Sequence, residues 1–445
     1  MGIKGLTKSL RKIAPSSIQT MTYQELADIS KVGVYGVDVN SYLYASQHNK
    51  INKGKGSHIR LFVEMIATCY EQGLKLLFVF DGNTHSEAKK DTVDHRIGVR
   101  LKGQQRILEV INDVEEAEAK KAGRVKESGG TGTGGTGTGG NVIIIDQDLQ
   151  EAGYNIISRG RGTIEQRLTL EYALKNFIVV SGDCYDDLIT LFQFVGATYI
   201  KAKGEADFVL GSLYKKGLID GVISEDCDML THGVGRLVRG LNDASLRRNG
   251  RVSVYDLDTI LNEGSLSMNM FIDLCILLGC DYCPKIHMIG FAKGLEYLRT
   301  YDNISNIICA MKKGEIKQKP KDISVDEYER RYERTFSIFT QEQEVIPAFT
   351  VLPYKIMDNT KEWILCETNY TIETLNRKLT IIAQMPVELS EGVERTGVED
   401  AERVERVERV ERVVVRPLVL KKKPIVIKPI KKKSKVTINI KRKDI

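Results

Sequence analysis

The chain reads as an α/β protein built on a parallel central sheet, because three short apolar runs each end in an acid and are separated by helix-favouring sequence. Val32–Val37 (VGVYGV) leads to Asp38, Leu76–Phe80 (LLFVF) leads to Asp81, and Gly221–Ser224 (GVIS) leads to Glu225-Asp226-Cys227-Asp228. The runs are short and rich in β-branched or aromatic residues, as buried parallel strands are. Ile59–Glu71, between the first two, suits a crossover helix. Ligands of such sheets bind beyond the carboxyl ends of the strands, so acids at three such ends converge on one cleft.

After Asp81 the pattern changes. Residues 86–128 are charged and helix-favouring, 129–140 are the low-complexity run GGTGTGGTGTGG, Val142–Ile145 is a short apolar run, and Ile164–Lys175 reads as a helix. The Gly/Thr run cannot pack a core, so residues 82–200 read as an elaborated excursion from the α/β body. Met268–Leu298 reads as helices joined by a turn around Gly290, whereas Asp326–Met385 is mixed and shows no packing pattern. These shifts divide the chain into 1–81, the insertion 82–200, 201–300, a further body segment 301–390, a Val-Glu-Arg repeat 391–415 and a basic tail 416–445. A helix over Val404–Val413 would pair Glu402, Glu405 and Glu408 with Arg406, Arg409 and Arg412 at i,i+4. Its valines drift around the axis, which favours a solvated helix or spacer over a coiled coil.

The 445 residues carry 65 Lys+Arg against 59 Asp+Glu, a net charge of +6. The tail from Arg416 holds 12 of those cations and one acid, leaving residues 1–415 at −5. The body is therefore acidic and the basic character lies in an arm, whose clusters Lys421–Lys423 and Lys431–Lys435 suit nuclear localisation or nonspecific phosphate binding. With 42% hydrophobic and 28% charged residues the chain is not wholly disordered, and it holds no run of 18 apolar residues that would cross a membrane. The N-terminus lacks the apolar core of a secretory signal, and Leu6 breaks the myristoylation pattern. Eight cysteines, several in apolar runs such as those around Cys69, Cys184 and Cys309, fit a reducing intracellular compartment. Cys275, Cys280 and Cys283 lack a fourth partner for a cluster or zinc site and read as structural, and the six histidines show no ligand spacing.

The chemistry-bearing pattern is acidic. Glu205 and Asp207 (KGEAD) open a helix-like run, Asp226 and Asp228 follow a strand, and Asp281 follows the apolar run FIDLCILLG. With Asp38 and Asp81 they make seven carboxylates at element ends. A lone acid after a strand is more often a turn former, but seven crowded carboxylates repel and call for hard cations, and oxygen-only donors select Mg²⁺ or Mn²⁺ over zinc. Two such ions suit phosphodiester cleavage.

At these residues the chain resembles the XPG-type structure-specific 5′ nucleases, and flap endonucleases most nearly. The resemblance rests on MGIKGL at the N-terminus, VDVNSYLY around Asp38, VFDG at Asp81, KGEAD, SEDCDML and DLCILLGCDYC, and runs from Met1 to about residue 300. It implies a PIN-like nuclease core with a helical arch insertion and a helix–two-turn–helix element. It also implies two Mg²⁺ ions, replaceable by Mn²⁺, with Asp38, Asp81, Glu205 and Asp207 serving largely one and Asp226, Asp228 and Asp281 the other. Lys89 and Arg96, seven apart on one helical face, match catalytic arch cations, with Lys90 and Arg100 as rivals. Gly2 matches a buried N-terminus close to the site, and Tyr44 an aromatic that stacks a base, against the competing reading of a core tyrosine. Gly279, Gly290 and Lys293 fall in the duplex-binding element. There Met288-Ile289-Gly290-Phe291-Ala292 lacks a glycine and a lysine of the family pattern, which puts its K⁺ site in question while Lys293 can substitute in the phosphate grip. Met65 replaces a substrate-binding Arg, for which Arg60 can compensate.

The resemblance thus implies a Mg²⁺-dependent endonuclease and 5′–3′ exonuclease acting on 5′ flaps or related branched DNA in replication and repair. It implies a nuclear monomer with no membrane partner, and no sliding-clamp motif is found in the sequence. The alternatives are a catalytically silent junction-binding scaffold and an exonuclease or RNA-directed nuclease on the same core.

Overall fold

The computed structural model describes residues 3, 5–48, 56–82, 89–121, 146–177, 180–241, 243–340, 346 and 355–384. Gly2, the Gly/Thr run, Val142–Ile145, the Val-Glu-Arg repeat and the basic tail lie outside the described residues.

Seven strands form one sheet: β1 Ile18–Thr22, β2 Val34–Asp38, β3 Lys75–Phe80, β4 Tyr199–Lys201, β5 Gly221–Ile223, β6 Arg236–Arg239 and β7 Arg251–Asp256, in spatial order β1-β7-β6-β5-β2-β3-β4. The five from β6 to β4 run parallel, but β7 pairs antiparallel with both β6 and β1. The sheet is therefore mixed where the sequence predicts a parallel one. The three expected strands are its buried centre, β2, β3 and β5; the antiparallel strands are partly exposed and carry polar residues and arginines, so they show no continuous apolar run.

Alternation along the strands splits the core in two. Leu77 and Val79 face the cluster built from the Leu6–Ile13, Ala206–Lys215 and Met268–Leu278 helices. Leu76, Phe78 and Phe80 face the opposite cluster, built on the Ser57–Glu71 and Gly182–Val195 helices. There Phe78 stacks on Phe192 at 4.1 Å between ring centroids and meets Phe62 edge-on at 5.8 Å, geometries that aromatic quadrupoles favour. The segment 326–385, unreadable in sequence, contributes the helices Val325–Thr340, Thr360–Glu367 and Ile372–Ala383. The second of these seats Trp363 edge-on against Phe194 at 5.4 Å, and Phe194 O accepts hydrogen bonds from Met357 N and Thr360 Oγ1.

A third core stands apart from both. The 32-residue helix Lys90–Lys121 leaves the sheet, and its far half packs Ile107, Val110, Ile111 and Val114 against Leu149, Ile156, Leu170 and Leu174 of the Asp146–Ser158 and Ile164–Asn176 helices. At 1.5 Å per residue that helix is about 48 Å long. Its root is tied to the body by the Asp91–Arg331 ion pair at 2.6 Å and by Thr92 Oγ1 donating to Asp281 O at 2.6 Å.

The described cysteines form no disulfide. Cys69, Cys184, Cys275 and Cys283 are buried, but Cys309 is exposed, against the expectation from its apolar run: it points outward from an amphipathic helix, Ile304–Lys313, whose Ile304, Ile307 and Ile308 face the core. Among the described residues no single helix is long and apolar enough to cross a membrane.

Candidate metal centre

Strand and helix ends gather the predicted acids. Asp38 closes β2 and is 6% exposed; its carboxylate accepts hydrogen bonds from Ser41 N at 3.2 Å and Ser224 Oγ at 2.7 Å. Asp81 follows β3, accepting from Ala206 N at 2.8 Å and from Asn40 Nδ2. This clamp on the first turn of the Ala206–Lys215 helix needs Gly82, where a Cβ would collide with the carbonyl oxygens of Ala202 and Lys203. Glu205 is the N-cap residue of that helix and Asp207 lies in its first turn. Glu205 Oε2 accepts from Tyr282 OH at 2.7 Å and pairs with Lys89 Nζ, while its Oε1 is buried without a partner.

On the other side, Asp226 caps the short 3₁₀ turn Cys227–Leu230 by accepting from Asp228 N at 2.9 Å. Asp228, 4% exposed, accepts from Ile3 N at 3.0 Å, which places Ile3 beside this acid. Asp281 pairs with Arg96 at 2.6 Å.

Six of the acids are linked electrostatically, and Glu205 joins them through Lys89. Burial, then Asp81, pushes the Asp38 carboxyl up to about 6, against the hydrogen bonds from Ser224 and Ser41. Burial likewise drives Asp207 and Asp228 well above the usual carboxylate range, with Asp38, Asp226 and Asp81 adding to the first and Asp226 and Asp281 to the second, while Lys89 opposes both shifts. Burial alone would lower the Lys89 ammonium, but Asp207 and Glu205 hold it above its ordinary value. Its Nζ lies 4.9 Å from the centre of the Tyr282 ring, a cation–π distance.

The resemblance implies ligands of two ions; the structure holds these carboxylates on protein partners. Among the described residues no three acidic, His or Cys side chains are closed into a metal-holding set, because Lys89 and Tyr282 engage Glu205, Arg96 engages Asp281, and Asn40 and Ala206 engage Asp81. The residues nonetheless fit hard divalent cations. The donors are all oxygen, one buried carboxylate oxygen is orphaned, and burial beside other acids pushes three of the carboxyls upward for want of compensating positive charge.

The other candidates lie around this cleft or beyond it. Lys89 and Arg96 reach the acids, while Lys90 and Arg100 are exposed on the same helix. Tyr44 is 38% exposed on the Val39–His48 helix and lies within electrostatic reach of Tyr185, as do Asp81 and Asp38. Gly279 ends the Met268–Leu278 helix at φ 91°, where a Cβ would meet Lys285 at 2.8 Å. Gly290 is the N-cap of the Phe291–Tyr301 helix, and Lys293 Nζ lies 5.5 Å from the Tyr297 ring centre. Met288, 73% exposed, adopts φ 62° without being a glycine, a conformation costing about 1 kcal/mol. Met65 is buried, and Arg60, stacked 4.8 Å over Tyr370, shares with it a cavity of about 600 Å³.

Sequence reasoning missed Ile3, Asn40, Ser224 and Tyr282. Asn40 and Ser224 each sit two residues from a singled-out acid, and Tyr282 directly follows Asp281, so adjacency was the available signal. The Ile3 contact is a backbone amide and leaves no side-chain signature.

Profiles of two families match the chain: the XPG N-terminal domain over residues 1–102 and the XPG I-region over residues 196–281. The chain is 29% identical over 332 residues to flap endonuclease 1 of Cryptosporidium muris (strain RN66), covering 70% of this chain and 58% of that relative. It therefore spans little more than half the relative's length. Among solved structures it is similar to the catalytic core of Rad2 in complex with DNA substrate, at a TM-score of 0.53, 16% identity, and coverage of 86% of this chain and 99% of that one. It is similar to the same degree to flap endonuclease-1 from Methanococcus jannaschii, at 0.53, 15%, 86% and 98%. At these identities the structural likeness establishes the fold.

Proposed function

The chain belongs to the XPG-type, flap endonuclease-like family, and from that premise we propose that it is a divalent-metal-dependent, structure-specific DNA nuclease that cuts a phosphodiester at 5′ flaps or related branches. The observation that carries this reading is the single cleft in which all seven acids and two arch cations interact. Asp38, Asp81, Glu205 and Asp207 would hold largely one Mg²⁺ or Mn²⁺, and Asp226, Asp228 and Asp281 a second. Bound there, such ions supply Lewis acidity toward water and phosphate oxygens.

The chain's own groups do the rest. Burial and their acidic neighbours push the Asp38, Asp207 and Asp228 carboxyls upward, so a cation held beside them would favour their ionised forms. Lys89 and Arg96, which pair with Glu205 and Asp281 at the cleft, would present their charge to the scissile phosphate, whose oxygens gain charge in the transition state. Tyr282 keeps Glu205 and Lys89 aligned through its hydroxyl and its ring. Ile3 N fixes Asp228, and Tyr44 offers an exposed ring for a base at the cleft margin. Gly279, Gly290 and Lys293 place the Phe291–Tyr301 helix to grip duplex backbone.

Cleavage of labelled 5′-flap DNA, nicked duplex and single-stranded RNA in Mg²⁺ tests the reading. The flap is expected to be cut fastest, and Asp226→Ala is expected to bind the flap normally while losing at least about a thousandfold in rate. Full activity of that variant, or preferential cutting of RNA, overturns it.

A further inference from the structure

Beyond the Phe291–Tyr301 helix the chain makes a short surface strap whose pattern the nuclease reading does not use. From Ile316 to Lys321 burial alternates: Ile316 is 2% exposed, Lys317 is exposed, Gln318 is half-buried, Lys319 is exposed, Pro320 is buried and Lys321 is exposed. Such alternation belongs to an extended chain lying along a surface, with one edge sunk into the body and the other lined by lysine. Its start is fixed where Glu315 N and Ile316 N both donate to Ala310 O, at 2.9 and 3.3 Å. Its middle is fixed where Tyr297 OH donates to Gln318 Oε1 at 2.8 Å. Lys293 lies over that same Tyr297 ring. The lysine edge is thus tied through one tyrosine to the helix assigned above to duplex binding.

We propose that Lys317, Lys319 and Lys321 form an additional docking edge for the sugar–phosphate backbone of the duplex arm, continuous with Lys293. In an extended chain alternate side chains stand about 6.6 Å apart, comparable with the roughly 6 to 7 Å between adjacent phosphates of one strand, which rise about 3.4 Å per step along the axis as they wind around it. Three lysines in that register can therefore follow one strand without bending it. Neighbouring charges do not cancel the edge: Glu315 and Asp322 flank it, whereas Asp326 and Glu329 are engaged by Lys312 at 2.9 and 2.6 Å. The proposal rests on the nuclease reading only for the identity of the partner strand.

The test is the salt dependence of binding of the full chain to fluorescent 5′-flap DNA with long and shortened duplex arms. Neutralising Lys317, Lys319 and Lys321 together to Ala is expected to lower the slope of log K against log[salt] by about 2 to 3 on long arms. On arms too short to reach the strap the difference disappears, and cleavage at saturating DNA is unchanged. The triple Lys→Arg variant keeps the wild-type slope. An Ala variant with the wild-type slope, or one that loses cleavage rate at saturation with its slope intact, overturns the proposal. If the wild type cuts no flap yet the slope on plain duplex still falls with the Ala variant, the nuclease reading fails and the docking edge stands.

Discussion

The carboxylates and the cations that face them are held by two very different parts of the molecule. Six of the seven acids are fixed at the ends of four neighbouring strands of the sheet: Asp38 and Asp81 at the ends of β2 and β3, Glu205 and Asp207 after β4, and Asp226 and Asp228 after β5. Arg96 instead belongs to, and Lys89 immediately precedes, a helix that leaves the sheet and carries its own apolar core at the far end. The acids are positioned by elements that cannot shift without breaking the main core, whereas their counter-charges ride on a module joined to the body at one root. Charge compensation in the cleft is thus the adjustable part and charge accumulation the fixed part.

Removing the adjustable charge breaks this comparison most directly. Lys89→Ala is expected to slow single-turnover cleavage by about a hundredfold at saturating Mg²⁺, the scale of losing one preorganised electrostatic contact, with flap affinity nearly unchanged. A wild-type rate in that variant would mean that the arch cation neutralises the acids and does nothing for the phosphate.

The fixed charge predicts a pH signature. Because Asp38 holds its proton up to about 6 when folded and to 3.8 ordinarily, the folded state binds more protons between those values. The contribution of this group to stability is greatest below 3.8 and is lost as pH rises through 6; Asp207 and Asp228, shifted the same way, extend the window upward. Metal binding displaces those protons. The rise in Tm produced by Mg²⁺ over EDTA, followed by calorimetry, should therefore grow by several degrees between pH 5 and pH 8. A gain independent of pH would show that the acids are already ionised without metal.

The smallest effect on the body sharpens the separation of the two parts. Leu170→Ala opens a hole in the third core, at a local cost of about 2 to 5 kcal/mol. Limited proteolysis should cut residues 90–176 faster in this variant while the main calorimetric transition stays within a degree or two of wild type. A matching drop in the main transition would make the module part of the body.

The acids were legible because no other residue type can serve that chemistry at strand ends, and the strands that carry them are buried on both faces and read as apolar runs. What escaped was whatever depends on pairing across the fold. Strand β7 (RVSVYD) alternates polar and apolar residues as a half-covered antiparallel strand does, and its partner β1 is mostly polar, so neither stands out. Tyr282 reads as one more tyrosine until the fold carries it across 77 positions to Glu205, and Ile3 meets Asp228 across 225. The segment after Val325 was opaque for a related reason. Its helices bury single rows such as Tyr328, Tyr332, Thr335 and Phe339, in which a hydroxyl interrupts the apolar periodicity.

The seat of Trp363 against Phe194 also decides what light reports about this molecule. Trp363 is the one tryptophan in the chain, and it packs the Thr360–Glu367 helix onto the Gly182–Val195 helix. Excited at the red edge of indole absorption, the protein emits from that joint, so its fluorescence follows the docking of the C-terminal helices and does not report on the helical module with the third core. An optical probe of that module has to be introduced on the module itself.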